Sequence, residues 1–350
     1  MSIRFNVLWK RNRARFALGL VMNASRLRLA LESGALNWAA EGRIAVIGAL
    51  RGDDLSDLPK DRIEVVQRHF PDHAYFIDQG FEVATQVGGP YVAALVRLPR
   101  AKAEARATLA AACAVTDGPL VVDGQKTDGV DSYLKDIRQR GDVGEVISKA
   151  HGKLFIVKSA DLSEWLAVDP GLVDGRFRTG AGVFSADGID PGSRALAEAL
   201  PPKLKGRVVD LGAGWGYLSD AVLAREGVTS IDLVEADYAA LEAARENITD
   251  VRATFHWADA LTFRPSAAVD HVVMNPPFHQ GRAVDARLGQ DFIRAAAGML
   301  GPKGQLWLVA NRHLPYETVL SDVFHNVHPL AQTPSFKLFH ATSPKRRSKG

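Results

Sequence analysis

Short apolar runs alternate with helical patterns along the second half of the chain, and this alternation restricts the fold more than any other feature. The strand-like runs are Arg207–Leu211, Ile231–Glu235, Ala253–Trp257, Val269–Met274 and Gln305–Ala310. The helical patterns are Tyr217–Arg225, Tyr238–Asn247, Arg287–Leu300 and Tyr316–Phe324. Parallel strands need crossover connections, which are usually helices, so this order predicts an α/β fold with a mostly parallel, doubly wound sheet. A last run, Ser335–Ala341, follows a strand-like piece without a helix between them, which predicts an antiparallel hairpin at the end of a seven-stranded sheet.

The first half of the chain resembles a degenerate copy of the second half. The matched segments keep their order and pair Ser25–Leu27 with Ser193–Ala195, Gly42–Ala49 with Gly206–Ala213, Gly118–Val122 with Gly304–Leu308, and Lys153–Phe155 with Lys337–Phe339. Apolar strands can match by chance, but four ordered matches favour a duplication. The segment between the copies, Asp169–Gly192, is rich in Gly, Pro and Asp, as linkers are. We therefore predict two domains, residues 1–165 and 166–350.

The copies differ at positions that could bind a ligand. Asp210 and Gly214 of the second copy correspond to Val46 and Leu50 of the first. The segment Asn275-Pro276-Pro277-Phe278 corresponds to Arg97-Leu98-Pro99-Arg100. The first copy thus lacks an acid, a glycine and an amide, and it contains two arginines. We interpret it as a domain without catalytic activity that could contact an anion.

Composition limits the function classes. The 350 residues carry a net charge of +3, which permits nucleic-acid binding without requiring it. One cysteine, Cys113, excludes a disulfide or a cysteine zinc site within one chain. No run approaches the about 18 apolar residues that span a membrane. The basic N-terminal segment contains a short apolar run, Phe16–Met22, and we interpret it as an amphipathic segment of a cytoplasmic protein. His271 and His279 have no metal-ligand partner at helical spacing, which argues against a metal site.

A glycine-rich turn predicts the cofactor site. Gly212, Gly214 and Gly216 lie where a strand turns into a helix, and glycine there lets a ligand approach the backbone. Glu235 ends the next strand about twenty residues on, as expected of an acid that binds ribose hydroxyls. Asp259 could accept a hydrogen bond from an adenine amino group. Asp210, directly before the turn, suits a cationic amino-acid group better than a pyrophosphate, which favours S-adenosylmethionine over a dinucleotide.

The segment Asn275-Pro276-Pro277-Phe278 predicts the methyl-accepting site, although a Pro-Pro turn after a strand could also be purely structural. An amine on a purine ring is a poor nucleophile because its lone pair is delocalised into the ring. The Asn275 side-chain oxygen and the Pro276 carbonyl can accept from its two N–H groups and aim the lone pair at the methyl group. The prolines fix the backbone and remove competing donors, and Phe278 offers a flat face for the base.

With these motifs in place, the chain strongly resembles the bacterial ribosomal RNA small subunit methyltransferase C family. Further motifs carry the resemblance: Gly182–Ser185, Asp187–Asp190, Gly192-Ser193, Asn275–His279, Val309–Asn311, Leu314–Tyr316 and Phe336–Leu338. The resemblance implies two tandem Rossmann-like class I methyltransferase domains, of which only the second binds S-adenosylmethionine. It implies methylation of a guanine N2 in 16S rRNA, within a small ribosomal subunit, by a monomer without a metal ion.

Other functions share parts of this pattern. A sister family with the same tetrapeptide acts on 23S rRNA, and similar loops methylate adenine N6 or a protein glutamine amide. A non-catalytic RNA-binding or assembly protein is a third class, against which the intact glycine turn argues. The candidate RNA contacts are Arg97, Arg100, Lys102, Arg282 and Arg287, with a basic tail, Lys345, Arg346, Arg347 and Lys349, that could equally be a solvated end.

Overall fold

The computed structural model describes residues 26–166, 172–277, 279–280, 283–284 and 286–345. The chain divides into two compact units, Met1–Val168 and Asp169–Gly350. Each unit has its own seven-stranded sheet, and apolar side chains pack on both faces of each sheet. The boundary between the units lies at the start of the Gly-, Pro- and Asp-rich segment Asp169–Gly192.

The first unit alternates strands and helices. Its strands are β1 Ile44–Ile47, β2 Ile63–Val66, β3 Glu82–Ala84, β4 Ala93–Arg97, β5 Leu120–Gln125, β6 Gly141–Lys149 and β7 Gly152–Ala160. Its helices are α1 over residues 26–32, α2 Phe70–Asp78, α3 Lys102–Ala114 and α4 Val130–Arg138, with 3-10 turns at Lys60–Arg62, Lys126–Asp128 and Ser163–Trp165. The strand order is β3-β2-β1-β4-β5-β7-β6, and β7 runs antiparallel to both of its neighbours. All four residues of β1 are buried, as expected of a central parallel strand covered on both faces.

The second unit repeats this plan. Its sheet contains β10 Lys203–Leu211, β11 Glu226–Glu235, β12 Ala253–Trp257, β13 Val269–Met274, β16 Leu300–Asn311, β17 Phe324–Gln332 and β18 Phe336–Pro344. Two small antiparallel pairs lie outside it, β8 Leu172–Val173 with β9 Phe177–Arg178 and β14 His279–Gln280 with β15 Ala283–Val284. The helices are α5 Pro191–Ala199, α6 Tyr217–Leu223, α7 Tyr238–Asn247, α8 Ala286–Met299 and α9 Glu317–Val323. The strand order is β12-β11-β10-β13-β16-β18-β17.

This order confirms the predicted fold, including the duplication and the closing hairpin. Strands β12, β11, β10, β13 and β16 are parallel, and β18 pairs antiparallel with both β16 and β17. The two sheets have the same strand order, and the corresponding turn glycines, Gly48 and Gly212, have φ values of 78° and 82°. Both turns therefore use the left-handed region, where glycine carries no steric cost.

Some strands are longer than their apolar runs suggest. Strand β10 begins at Lys203 instead of Arg207, and β11 begins at Glu226 instead of Ile231. Lys203 pairs with Glu226 in the parallel ladder, and the register shifts on either side of Gly206. A backbone hydrogen-bond ladder with an irregularity extends these strands into polar sequence, where hydrophobic pattern gives no signal.

Neither a membrane-spanning segment nor a metal-binding cluster occurs in the part of the chain that the structure describes. None of the helices there combines the length and the apolar character needed to cross a bilayer. No group of three or more His, Cys, Asp or Glu residues in the same ranges could hold a metal ion.

Candidate active site

The glycine turn joins β10 to α6 at the carboxyl edge of the second sheet. The φ values are 82° at Gly212 and 56° at Gly214, so both residues occupy the left-handed region. The backbone N–H groups of Gly212 and Ala213 donate to the Val234 carbonyl, at 2.9 and 3.1 Å, which ties the turn to the neighbouring strand. A Cβ at Gly214 would meet no heavy atom within 4 Å, so this side of the turn has room for a ligand. Gly216 precedes the first residue of α6, as predicted.

Asp210 lies directly before the turn and is completely buried. Its Oδ2 accepts a hydrogen bond from the Ser219 hydroxyl at 2.7 Å, whereas its Oδ1 has no hydrogen-bond partner among the described residues. Burial raises the pKa of this carboxyl to about 7, the Ser219 hydroxyl opposes that rise, and the nearby Glu235 adds to it. A buried acceptor without a donor is a fitting partner for a cationic ligand group such as an ammonium.

Glu235 is the last residue of β11, and its carboxylate is hydrogen-bonded to the glycine turn. Its Oε2 accepts from the Gly214 N–H at 2.8 Å, and its Oε1 accepts from the N–H groups of Ala236 and Asp237 at 2.7 and 2.8 Å. Burial raises the pKa of this carboxyl, and the backbone donors at Asp237 and Gly214 lower it. The carboxylate is therefore fixed at the point where a ribose on the turn would need an acceptor.

The carboxyl ends of four adjacent parallel strands form a row in the order β12, β11, β10 and β13. Asp259 follows β12, and its Oδ1 accepts from the Leu261 N–H at 2.8 Å, which holds the carboxylate in a local turn. Because carboxyl ends of parallel strands meet at one edge, Asp259, Glu235 and the glycine turn line the same edge of the sheet as Asn275. Crevices at such an edge are the usual ligand sites of open α/β sheets.

Asn275 follows β13, and its side-chain amide is held by residues that the sequence reasoning did not assign a role. Its Nδ2 donates to Asp190 Oδ2 and to Ser193 Oγ, each at 2.9 Å. The carboxylate is only an acceptor, so the amide nitrogen must face Asp190 and the amide oxygen points away from it. Pro276 is buried and Pro277 is exposed, and Phe278 lies outside the described residues.

Three residues of the site were missed in the sequence, namely Asp190, Ser193 and Ser219. Asp190 and Ser193 begin helix α5, and the segment Asp190-Pro191-Gly192-Ser193 has the pattern of a helix start with proline at the first position. That pattern predicts the helix cap, but it does not reveal the contact with Asn275. No comparable signal marks Ser219, whose role depends on its burial beside Asp210.

The predicted RNA-contacting residues have different surroundings. Arg97 is partly buried and forms an ion pair with Asp53, beside a small cavity of about 40 Å³. Arg100, Lys102 and Arg287 are exposed. The remaining candidates, Arg282, Arg346, Arg347 and Lys349, lie outside the described residues, whereas the Lys345 ammonium donates to the Ser321 carbonyl at 2.6 Å.

A buried ion pair fills the edge of the first sheet near Arg97. Arg26 is fully buried, and its guanidinium donates to both carboxylate oxygens of Asp123, at 2.6 and 3.1 Å, and to the Lys149 carbonyl at 2.9 Å. Burial raises the pKa of Asp123, and the Arg26 guanidinium opposes that rise. The Arg26 and Asp123 charges are therefore paired with each other.

His271 has two partners within the protein. His271 Nε2 lies 3.2 Å from the Lys205 carbonyl oxygen, and the Trp307 indole N–H donates to His271 Nδ1 at 3.4 Å. Burial lowers the pKa of this imidazole, which keeps it neutral. A histidine satisfied in this way is a structural residue of the sheet.

Comparisons with known proteins agree with this geometry. The methyltransferase small domain family matches residues 174–340, which is almost the whole of the second unit. Ribosomal RNA small subunit methyltransferase C of Alteromonas mediterranea is 28% identical over 342 residues, covering 86% of this chain and 95% of that protein. Ribosomal RNA large subunit methyltransferase G of Ectopseudomonas mendocina is 37% identical over 167 residues, covering 46% of this chain and 45% of that protein.

One solved structure is similar over nearly the whole chain. It is the T. thermophilus 16S rRNA N2 G1207 methyltransferase in complex with AdoMet and guanosine, with a TM-score of 0.74 and 26% identity, covering 88% of this chain and 90% of that one. The sheet order and the glycine turn with its acidic neighbours thus define a class I, S-adenosylmethionine-dependent methyltransferase. Within this class, the chain is similar over most of its length to proteins of the ribosomal RNA small subunit methyltransferase C family.

Proposed function

We propose that this protein methylates the exocyclic N2 amine of a guanine in 16S rRNA, using S-adenosylmethionine, within the small ribosomal subunit. The observation that carries the proposal is the orientation of the Asn275 amide. Its N–H groups are engaged by Asp190 and Ser193, so its oxygen remains available as an acceptor at the strand end next to the glycine turn. An acceptor beside a cofactor turn is what an amine substrate requires.

The residues around the turn fit S-adenosylmethionine. When bound, this cofactor supplies a methyl group on a positively charged sulfur that an amine nitrogen can attack. Asp210 would accept from its ammonium group through the unpaired Oδ1, Glu235 would accept from its ribose hydroxyls, and Asp259 would accept from its adenine amino group. Gly214 leaves the backbone open to close approach, whereas a Cβ at Gly212 or Gly216 would meet the Phe292 side chain at 3.4 Å or the Ile248 side chain at 3.1 Å.

The acceptor loop would prepare the amine for attack. The Asn275 oxygen and the Pro276 carbonyl accept from its two N–H groups and turn its lone pair out of the ring system. Both hydrogen bonds strengthen as positive charge develops on nitrogen, so they stabilise the transition state more than the ground state. The methylated ammonium then loses its proton to water, so no strong general base is needed. Phe278 would stack on the base.

The choice of ribosomal RNA rests on the relatives. The alignment with the small subunit methyltransferase C of A. mediterranea covers 86% of this chain, and therefore extends into both units. The solved 16S rRNA methyltransferase is in complex with AdoMet and guanosine. The first unit, as a domain without a cofactor, would help to bind the RNA in the cytoplasm, with exposed Arg100 and Lys102 as contacts. In the second unit, exposed Arg287, which follows the Asn275–Phe278 segment in the sequence, would be a further contact.

A guanine N2 of 23S rRNA is the second candidate. The 37% identity to a large subunit methyltransferase G favours it, but that alignment covers only 46% of this chain. Adenine N6 and a protein glutamine amide remain weaker alternatives with the same acceptor chemistry.

The decisive experiment supplies labelled S-adenosylmethionine to the purified protein with small subunits, large subunits, free 16S rRNA, DNA or a release factor. We expect label only in 16S rRNA, and digestion with mass spectrometry to locate it as N2-methylguanosine. Label in 23S rRNA would establish the second candidate, and no transfer to any RNA would overturn the proposal.

The Asn275→Ala variant tests the acceptor role in the same assay. We expect methyl transfer to fall by at least about a hundredfold, as for loss of one transition-state hydrogen bond. Calorimetry should show S-adenosylmethionine binding nearly unchanged. Asn326→Ala, which removes an exposed amide on β17, is the matched control and should keep full activity.

A further inference from the structure

Both N–H groups of the Asn275 amide donate hydrogen bonds to residues at the start of helix α5. Nδ2 donates to Asp190 Oδ2 and Ser193 Oγ, although these residues lie 85 and 82 positions away in the sequence. The same Asp190 Oδ2 accepts from the Ser193 backbone N–H at 2.7 Å and thereby caps α5. One carboxylate oxygen therefore serves a helix cap and the acceptor loop at once.

Tight packing fixes this carboxylate in place. Pro191 disfavours a helical backbone at Asp190, whose φ and ψ are −58° and 127°. A Cβ added to Gly192 would lie 3.0 Å from Asp190 Oδ2 and 3.0 Å from the Phe336 ring, so a larger residue there would crowd the carboxylate. Ser193 is itself buried, with 8% of its surface exposed. These contacts leave the Asp190 side chain little freedom to move away from Asn275.

We propose that Asp190 and Ser193 are positioning residues that orient the Asn275 amide so that its oxygen, and not its nitrogen, faces the substrate amine. This inference rests on the proposed function. An asparagine amide is almost symmetric in shape, so sterics alone do not decide whether its oxygen or its nitrogen faces the substrate. With the nitrogen bound to two acceptors, the oxygen faces the amine. A flipped amide would present N–H groups to the substrate N–H groups and repel them.

The carboxylate also strengthens the acceptor. Hydrogen bonds in a chain polarise one another, so donation from Nδ2 to a negative oxygen increases the electron density on the amide oxygen of Asn275. That oxygen then becomes a better acceptor for an amine on which positive charge develops. The effect on the rate therefore appears in kcat and leaves cofactor binding unchanged.

Substitutions at Asp190 separate capping from positioning. Serine is a good N-cap residue but is too short to reach Asn275, so Asp190→Ser should keep α5 and lose the amide contact. Asp190→Asn places an amide oxygen where Oδ2 was, which can still accept from both the Ser193 N–H and the Asn275 amide. Ser193→Ala removes one acceptor of Asn275 and leaves the cap intact.

We expect kcat on small ribosomal subunits to fall about tenfold in Asp190→Ser, the rate equivalent of one lost hydrogen bond. The fall should be smaller in Ser193→Ala, and Asp190→Asn should restore most of the rate. The midpoint of thermal unfolding and the affinity for S-adenosylmethionine should stay close to wild type in all three. Full kcat in Asp190→Ser, or a loss that follows the unfolding midpoint, would overturn the inference.

A spectroscopic readout keeps this test independent of the substrate assignment. The Asn275 side-chain N–H signals in a ¹⁵N spectrum are identified by their absence in Asn275→Ala. We expect them to be shifted and slow to exchange in the wild type and in Asp190→Asn, and to move to ordinary, fast-exchanging positions in Asp190→Ser. Unchanged signals in Asp190→Ser would refute the positioning contact, whereas absent methylation by the wild type would refute only the proposed function.

Discussion

The buried Asp210 carboxyl gives the proposed cofactor site a pH dependence. Burial raises its pKa to about 7, and its free oxygen is the proposed partner of the S-adenosylmethionine ammonium. Because α-amino groups have pKa values near 8, the ligand is cationic below about pH 7. The cationic ligand then binds best to the ionised Asp210 carboxylate. Where Asp210 is protonated, it must lose its proton before the ligand ammonium can pair with it. We therefore expect affinity to weaken as the pH falls below about 7.

The size of this effect follows from the pKa. If binding requires the ionised form, the dissociation constant at about pH 5.5 should exceed that at about pH 7 by about 15-fold. Calorimetric titration at the two pH values measures the ratio. In Asp210→Asn the affinity should be weaker at pH 7 and much less dependent on pH. Equal dissociation constants in the wild type, or the full ratio in Asp210→Asn, would refute the reasoning.

The same carboxyl affects stability without ligand. Its pKa in the folded protein lies above the unfolded value of 3.8, so the folded protein binds more protons between about pH 4 and pH 7. The free energy of unfolding should fall as pH rises through this window, by up to about 4 kcal/mol from this group. Urea unfolding of Asp210→Asn should lack that fall.

Further predictions concern both units. Arg26→Met leaves Asp123 buried without its partner and should cost about 3–5 kcal/mol in urea unfolding, whereas Arg28→Met, which breaks an exposed pair, should cost far less. Equal costs would contradict the importance of burial. Gly214→Ala, at a φ of 56°, should lower stability by about 1–2 kcal/mol in thermal melts while the fold persists. Glu235→Gln should weaken S-adenosylmethionine binding about tenfold in calorimetry, because a neutral amide accepts more weakly than a carboxylate; unchanged affinity would exclude Glu235 from the ribose site.

The hydrophobic periodicity of the sequence predicts those strands and helices of the second unit that are apolar or amphipathic along their whole length. Strand β13 and helix α7 have the predicted bounds: Asn275-Pro276 follows β13 directly, and Thr249-Asp250 follows α7 after one residue, Ile248. The extension of β10 to Lys203 was not predictable, since its first residues are polar and their pairing depends on the neighbouring strand. Local sequence therefore predicts where burial occurs, but not where a backbone ladder continues beyond it.

Those residues of the candidate site that lie directly after a strand could be predicted from the sequence. The glycine turn, Glu235 and Asn275 each lie at the carboxyl end of a strand whose apolar run is clear. The contact between Asp190 and Asn275 joins a helix start to a distant loop, and only the packed structure brings them together. The pairing of Arg97 with Asp53 is likewise tertiary, and a sequence reading of Arg97 counts its charge without the carboxylate that neutralises it.

The position of the last strand in each sheet has a consequence for synthesis. Strand β18 lies between β16 and β17, so the second sheet cannot close until residues 336–344 have left the ribosome. In the first unit the corresponding internal strand, β7, is finished at Ala160. Domains generally fold in order as the chain emerges, so the first unit can be complete while the second is still being made. Until then β16 and β17 each lack their β18 partner, and the nascent chain exposes unpaired strand edges, which favour aggregation, until β18 emerges.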